Sequence, residues 1–429
     1  MAVLSASPNR SRKEFLDPDP DLRADAASRG AVPRYGRAYA AIEFAWFLLF
    51  PSLGVVQKYF GTLTALVYLA GGAAALVMLS LRRATAVSEN AADRWRSTWA
   101  TAALFALLTA AFIVVYPISN GRSGPWSAQL PVAAGGSDRD ESLILGVKSL
   151  LDGRFPYYQR TQLQNPVSQL PGALVLAAPF AILGNAVWQN IFWFGVFLVI
   201  GRWMLGGKTT LGLIVLTIVT CPAVLRDYVT GGDLGAGAIA ILAGMALMMK
   251  LVPETSTANW KKAAAAILTG IALSSRLSQL LLLPLLGAAL IRRSSFRTAF
   301  LWVSVTVLTF LTVTVPFYWY DPAGFAPLTL HNKFTQFGEV PAAGIIFPAL
   351  SVLASLAAAA HPGNRTVRGW LAQSGLVMTV PVVFLVALAS LRTHMLNFAL
   401  TDYALPSVFF GGIGAAMSIY RARDVLVDS

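Results

Sequence analysis

Cysteine and histidine are almost absent from this chain, with one cysteine and three histidines in 429 residues. The lone Cys221 excludes an internal disulfide, and its apolar setting in LTIVTCPAV is typical of a buried, unreactive thiol. His331, His361 and His394 are scattered, so the sequence contains no zinc-binding spacing. Nothing here indicates a metal or another cofactor, although a divalent metal held by residues distant in sequence stays possible.

Charge is also scarce, since charged residues make up 12% of the chain and hydrophobic residues make up 56%. This composition excludes a soluble domain of the same length. The chain contains many apolar runs of about 15–22 residues, long enough to cross a bilayer as helices, instead of the ten-residue alternation of a barrel. The predicted fold class is therefore an all-α polytopic membrane protein.

The formal net charge of +13 does not indicate nucleic-acid binding. Lysine and arginine lie mainly at the ends of apolar runs, and no basic run is interleaved with aromatic residues. No glycine-rich phosphate motif follows a strand, and no predicted cytoplasmic loop is long enough for a nucleotide-binding domain. Nucleic acids and nucleotide-linked donors are both disfavoured as ligands.

Hydropathy divides the chain into three parts. Residues 1–38 are predicted to be a disordered cytoplasmic tail, residues 39–420 a single transmembrane domain, and residues 421–429 a second cytoplasmic tail. The predicted apolar segments are 39–56, 62–81, 97–116, 167–184, 187–205, 209–226, 231–251, 261–275, 277–291, 296–318, 339–360, 373–391 and 400–420.

The distribution of lysine and arginine between the loops predicts the orientation of the chain in the cell membrane. Both termini are expected in the cytoplasm, and loops 117–165 and 318–338 outside. Because an odd number of crossings would separate the termini, one segment must fail to cross. The proline-rich segment 167–184 is the candidate for dipping in and returning, which leaves about twelve transmembrane helices. A miscounted pair elsewhere is the alternative.

The long polar interruption of the chain is SDRDESLILGVKSLLDGRFPYYQRTQLQNPVSQLPG, residues 137–172. Asp138, Asp140 and Glu141 lie within four residues, and the apolar residues from Leu143 to Leu151 recur at helical spacing. This run predicts a short amphipathic helix on the membrane surface that ends at Asp152-Gly153. The loop after it offers aromatic rings, a guanidinium and amides, a mixture typical of sugar-binding sites.

Arg276 is a second candidate, because it lies between two apolar halves of about 14 residues, roughly 21 Å each and short of the ~30 Å hydrocarbon core. An arginine at that depth needs a polar cavity and a counter-ion, so it marks a functional site, unless it forms a structural ion pair or simply reaches water from a helix end. Asp233, in RDYVTGGDLGAG, is either a site residue or the N-terminal cap of a helix. Loop 321–339 supplies His331 and Lys333, and Asp402 with Tyr403 belongs to a late outer cluster.

The acidic stretch, the helix ending in LLDGRFPYY and the proline-led span resemble integral-membrane glycosyltransferases of the GT-C superfamily, in particular bacterial polyprenyl-phosphate-sugar-dependent mannosyltransferases. The resemblance covers about residues 97–420, and 138–172 is its semi-specific part. It implies that the acidic motif supplies the catalytic carboxylate. Asp140, of the Asp140-Glu141 pair, is then the general base, with Asp138 as the alternative because the spacing to Gly153 varies among relatives. Two additional spans precede the loop's own helix, which departs from the family pattern.

The predicted function is inverting transfer of a sugar, with mannose implied by the resemblance, from a polyprenyl-phosphate donor to a lipid or glycan acceptor on the extracytoplasmic side of the cell membrane. We expect the donor phosphate beside Arg276 or Arg160, and the acceptor hydroxyl beside Asp140 or Asp138. The other candidate substrate-binding residues are Glu141, Tyr157, Tyr158, Gln164, Asn165, Asp233, His331 and Lys333.

Two further classes stay open. A transporter or flippase would also be all-helical with polar residues at depth, but transporters often carry internal repeats, and no convincing repeat is visible. A degenerate family member that only scaffolds a partner is the third reading. Transfer of labelled sugar from a polyprenyl-phosphate donor discriminates the enzyme from both.

Overall fold

The structure is a computed structural model that describes residues 34–82, 91–119, 138–329, 334, 340 and 342–420. The predicted tails 1–33 and 421–429, residues 120–137 of the outer loop, and the candidates His331 and Lys333 lie outside the described residues. Residues 34–38, assigned to the disordered tail by the sequence, belong to the first helix. Within the described ranges the chain is helical and has no β-strand; one isolated bridge pairs Arg160 with Pro166.

The α-helices of these ranges are α1 (Arg34–Leu49), α2 (Leu53–Arg82), α3 (Ala91–Ser119), α4 (Arg139–Leu151), α5 (Pro171–Ile182), α6 (Gln189–Leu205), α7 (Gly207–Thr220), α8 (Pro222–Val229), α9 (Leu234–Leu251), α10 (Asn259–Leu273), α11 (Leu283–Arg293), α12 (Phe296–Tyr320), α13 (Ala343–Ala360), α14 (Val367–Thr393) and α15 (Pro406–Tyr420). Short 3₁₀ helices occupy Phe50–Ser52, Pro156–Tyr158, Ala186–Trp188, Leu277–Leu282, Ala326–Thr329, Pro362–Arg365 and Thr401–Ala404.

The helices confirm the predicted all-α membrane class. In the described part of the chain, 6 helical units are long and apolar enough to cross a membrane, or up to 8 if each of two bent helix pairs forms one span. The finer count of about twelve crossings stays a prediction, because several apolar helices are shorter than a bilayer requires.

Two of the predicted spans are bent. The sequence predicted 209–226 as one apolar span, and the structure divides it into two helices: α7 ends at Thr220, α8 begins at Pro222, and they meet at 89°. Proline has no N–H for the preceding turn, so the helix stops where Pro222 stands. The proposed dipping segment 167–184 contains only the 12 residues of α5, and the helix after it turns away by 104°.

The first long helical unit reverses at Gly61. Gly61 has φ 86° and ψ 167°, a backbone conformation that a side chain would strain. Beyond this break, Gly72 lies against the side chain of Leu49 in α1, where an added Cβ would be 3.0 Å from Leu49 Cδ1. The chain therefore runs back along α1, in agreement with the predicted boundary between segments 39–56 and 62–81.

Helix α9 lies at the centre of the fold, with 83% of its residues buried. Small residues allow neighbours to approach it closely, as at Gly244, which packs on Thr269 of α10. On the other side, α15 packs on α1 through Gly411 and Phe47. Helix α9 begins directly after Asp233, so the polar N-terminal end of this buried helix faces the candidate site.

The predicted amphipathic helix is present as α4. Its residues Leu143 and Val147 are fully buried and pack against Leu174 of α5. Helix α5 in turn meets the end of α10, where a Cβ on Gly172 would overlap the carbonyl oxygen of Ile271. This contact requires glycine and brings the start of α4 close to the break that follows α10.

Candidate functional site

Helix α4 begins at Arg139, four residues before the predicted start at Leu143. Asp140 and Glu141 are therefore inside its first turn, where the sequence analysis had placed them in front of the helix. Carboxylates in the first turn interact favourably with the positive end of the helix dipole. Asp138 is the residue before the helix, but its side chain makes no capping hydrogen bond.

The two candidate bases have different surroundings. Asp140 is buried, with 1% of its surface exposed, and the hydroxyl of Tyr116 in α3 donates a hydrogen bond to its Oδ2 at 3.0 Å. Asp138 is only partly buried, and its Oδ2 accepts hydrogen bonds from Thr161 Oγ1 at 2.8 Å and from Asn165 Nδ2 at 2.7 Å. Asp140 is held by a helix of the membrane domain, and Asp138 by the loop after α4.

That loop is built by hydrogen bonds among its own residues. Arg160 Nη1 donates to the carbonyl oxygen of Gln164 at 3.0 Å, and Gln164 stands at φ 61° in the turn. Glu141 also contacts this loop, since its Oε2 accepts a hydrogen bond from the backbone N–H of Gln162 at 3.1 Å. Arg160, Gln164 and Asn165 are exposed, so the acidic start of α4 and this loop meet at the surface of the structure.

Tyr157 and Tyr158 have different surroundings. Tyr157 is 4% exposed, and its ring packs 4.9 Å from that of Phe325 and 6.2 Å from that of Phe317 in α12. Its buried hydroxyl has no hydrogen-bond partner, and burial raises the pKa of this phenol well above its usual value. Tyr158 is exposed and packs on Phe155. Tyr157 is therefore part of the aromatic contact that fixes the loop to α12.

Arg139 is the centre of an ion-pair cluster that the sequence did not single out. Its Nη2 lies 2.9 Å from Asp402 Oδ2, its Nη1 lies 3.9 Å from Asp227 Oδ1, and its guanidinium lies 4.9 Å from the Tyr403 ring centroid. Burial alone would lower the pKa of Arg139, but the charges of Asp402, Tyr403 and Asp227 raise it. A protonated Arg139 thus connects α4 to α8 and to the segment before α15.

Asp227 and Asp233 make different contacts at the start of α9. The sequence allowed Asp233 to cap this helix, but its side chain makes no capping bond. Asp227 Oδ2 instead accepts the N–H of Gly235 in the first turn, at 2.9 Å. Asp233 is left to bind a cation, and that cation is Arg276.

Arg276 lies in an extended break between α10 and the 3₁₀ helix Leu277–Leu282, with φ −147° and ψ 137°. The predicted interruption between two short apolar halves is therefore present. Arg276 Nη2 binds Asp233 Oδ1 at 2.5 Å and Oδ2 at 2.6 Å, which provides the expected counter-ion. The Nε atom of Arg276 is buried without a hydrogen-bond partner.

A pocket with about 80 Å³ of free volume opens beside this break. Arg276, Gln279 and Tyr403 are among its lining residues, and the guanidinium of Arg139 lies over the Tyr403 ring. The remaining lining residues are Ser168, Leu170, Leu234, Leu277, Ser278, Pro327 and Pro406. The pocket therefore joins the Arg276 pair to the Arg139 cluster, and it combines a cation, an amide and an aromatic ring with apolar walls.

Asp233 and Arg276 are thus the sequence candidates that form a site together. The residues that sequence reasoning left out of its site are Arg139, Asp227, Ser275, Gln279, Asp402 and Tyr403. One signal was readable, because Arg139 is a cation inserted between three carboxylates. Its partners Asp227 and Asp402 belong to segments already noted as polar, but nothing in the sequence paired them.

Within the described ranges, no group of three or more histidine, cysteine, aspartate or glutamate side chains is arranged to hold a metal ion. Comparisons with protein-family models, with curated proteins and with solved structures found no match to this chain. The resemblance to GT-C glycosyltransferases stays a prediction from the sequence. The chemistry of the site is what supports a function: fixed carboxylates at the start of α4, and an arginine in a pocket that Tyr403 connects to Arg139 of the same helix.

Proposed function

We propose that this chain is a membrane glycosyltransferase that moves a sugar, mannose in our assignment, from a polyprenyl-phosphate donor to a lipid or glycan acceptor. The observation that carries the proposal is the pocket beside Arg276, an arginine fixed by Asp233, because Tyr403 in the wall of this pocket contacts Arg139 at the acidic start of α4. Such a site offers a cation for a phosphate leaving group and carboxylates for an acceptor hydroxyl.

The donor phosphate is assigned to Arg276. Asp233 is bound at Nη2, and the neighbouring Nε has no partner, so the guanidinium keeps a donor for a phosphate oxygen. The arginine side chain is 17% exposed and the aspartate side chain 3%, so the cation lies on the open side of the pair. A phosphate held there would sit against the pocket instead of against the exposed turn of Arg160.

The general base is assigned to Asp140, with Asp138 as the alternative. In the proposed step the acceptor hydroxyl gives its proton to the carboxylate while its oxygen bonds to the anomeric carbon. The bond from that carbon to the phosphate oxygen breaks, and polyprenyl phosphate leaves with the electron pair. Asp140 is favoured because Tyr116 and the first turn of α4 fix its position, and fixed geometry is a large part of catalysis.

The proposed topology puts this chemistry on the outer face of the cell membrane, with both termini in the cytoplasm. Support comes from the lysine and arginine distribution, which assigns the loop before α4 to the outside. A lipid-linked donor suits that location, because its polyprenyl chain stays in the bilayer while its phosphate reaches the surface.

The direct test is to incubate the purified protein with radiolabelled polyprenyl-phosphate-mannose and a membrane lipid extract. We expect label to move to a new lipid or glycan product, and an Asp140→Asn/Asp138→Asn variant to form none. Absence of transfer by folded wild-type protein, across extracts that contain acceptors, would overturn the proposal.

The two bent helix pairs support a second candidate, a transporter or flippase of a lipid-linked substrate. Bends of 104° and 89° within apolar stretches resemble the discontinuous helices that line transport sites. In proteoliposomes, a flippase would move labelled polyprenyl-phosphate-mannose between leaflets with no acceptor and no new product. The enzyme would form product when an acceptor is added and would not change the leaflet distribution of the donor.

A further inference from the structure

Three buried polar atoms around the break after α10 have no hydrogen-bond partner: Gln279 Oε1, Ser275 Oγ and Arg276 Nε. Gln279 is 1% exposed and Ser275 is 2% exposed, so water does not reach them freely. Leaving buried polar atoms unpaired costs free energy, and native proteins rarely leave several of them in one place without a ligand or water. Gln279 and Arg276 both line the pocket beside Tyr403.

The side chains of Arg276 and Gln279 reach the same pocket, because both residues line it. Arg276 is the extended residue directly before the 3₁₀ helix Leu277–Leu282, and the N–H of Gln279 donates to its carbonyl oxygen at 3.0 Å. This hydrogen-bonded turn keeps the two residues beside one cavity, so a single ligand there can contact both.

The unpaired atoms have opposite hydrogen-bonding character. Arg276 Nε can only donate, so it requires an anionic or neutral oxygen, and the Gln279 carbonyl oxygen can only accept, so it requires an O–H or N–H. A phosphate oxygen satisfies the arginine but not the glutamine oxygen. A polyprenyl tail satisfies neither of them. A ligand that carries a hydroxyl next to a phosphate satisfies both.

We infer that the pocket takes the sugar ring of the donor and that Gln279 accepts a hydrogen bond from one of its hydroxyls while Arg276 holds the adjoining phosphate. This inference rests on the proposed function and assigns Gln279 as the residue that distinguishes a sugar-bearing donor from bare polyprenyl phosphate. The ring of Tyr403 and the side chains of Leu234 and Pro406 supply the apolar surface on which the C–H face of a sugar packs.

The test measures binding of two probes, polyprenyl phosphate and polyprenyl-phosphate-mannose, to detergent-purified protein. Wild type should bind the mannose-bearing probe more tightly. Gln279→Met keeps the length of the side chain and removes the acceptor oxygen. It should therefore weaken binding of the mannose-bearing probe about five- to tenfold and leave binding of polyprenyl phosphate unchanged. Arg276→Lys should weaken binding of both probes. Gln373→Met, in α14 and outside the described pockets, is the matched control and should change neither.

An equal effect of Gln279→Met on both probes, or no effect on either, overturns the inference and leaves the proposed function intact. Failure of wild type to bind either probe overturns both. If Gln279→Met does not fold, Gln279→Asn is the second variant. Its side chain keeps an amide but is one methylene shorter, so the variant should also lose the preference for the mannose-bearing probe. Retention of the full preference by Gln279→Asn likewise counts against the inference.

Discussion

The loop 159–166 and the Arg139–Arg276 region are both rich in polar side chains, but they differ in where those side chains find partners. In the loop, Arg160 binds the carbonyl oxygen of Gln164, four residues away. In the buried region, Arg139 binds Asp402 across 263 residues, and Arg276 binds Asp233 across 43. The first set of contacts shapes an exposed turn. The second brings distant segments to one pocket.

This difference shows that a high density of polar residues in one stretch of sequence is a poor indicator of where a functional site lies. In a loop near water, the amides and the guanidinium form hydrogen bonds that add little to the free energy of folding, because exposed ion pairs and hydrogen bonds contribute little to stability. A buried arginine needs a counter-ion. In this region the counter-ion comes from a distant part of the chain, so a buried arginine indicates that distant segments meet there.

Asp140→Asn should have the largest effect on transfer. The asparagine is nearly isosteric but does not take the proton, so activity should fall by about 10²–10⁴ with donor binding retained. The measurement is the rate of labelled product formation at saturating donor. Asp138→Asn, assayed in parallel, should lose less than tenfold, because Asp138 is held by the loop; the reverse ranking of the two variants would move the base to Asp138.

Arg139→Gln should give the largest loss of stability. Removing the cation leaves Asp402 and Asp227 without their common partner, which costs about 3 kcal/mol when the pair is mostly buried. The free energy of unfolding in detergent is the readout. Adding Asp402→Asn removes one uncompensated charge, so the double variant should be more stable than Arg139→Gln alone. A purely additive result in this cycle would show that the two residues do not interact.

Arg276→Lys should weaken binding of polyprenyl phosphate about tenfold, since an ammonium does not reproduce the fork of a guanidinium. Arg160→Ala, on the exposed turn, should leave the affinity unchanged and serves as the matched control. The neutral pair Arg276→Gln/Asp233→Asn tests the site without leaving a buried charge. Should Arg160→Ala weaken binding more than Arg276→Lys, the loop would be the phosphate site.

Tyr157→Phe should have the smallest effect. Its hydroxyl is buried without a partner, so phenylalanine keeps the packing on Phe325 and removes an unsatisfied polar group. We expect stability to be unchanged or slightly higher and transfer to be unchanged. A clear fall in transfer at normal stability would restore Tyr157 as a sugar-binding residue.

Hydropathy and helical spacing predicted much of the fold. They identified an all-helical membrane protein, the helix α4 with its end at Asp152-Gly153, and the interruption at Arg276. They missed the bend at Pro222, because a hydrophobic window that continues through a proline still averages as one span. The helix start at Arg139 was also missed, since polar first-turn residues carry no apolar periodicity.

The site was predictable in part. Asp233 and Arg276 were each identified, because an ionisable residue in an apolar segment is conspicuous. Their pairing depends on how α9 packs beside α10, and that geometry is set by side-chain fit at contacts such as Gly244 with Thr269. The same limitation concealed Arg139, whose partners come from segments far along the chain.

The ion pair between Arg139 and Asp402 has a consequence for biogenesis. A ribosome that adds about 5–20 residues per second needs roughly 13–50 s to make the 263 residues between them. During this interval the contact with Asp402 is missing, and Asp227, which is made earlier, is the counter-ion of Arg139. The pocket beside Tyr403 is therefore completed only when the last helices have been inserted, and a nascent chain interrupted before residue 402 carries most of the membrane domain without a finished site.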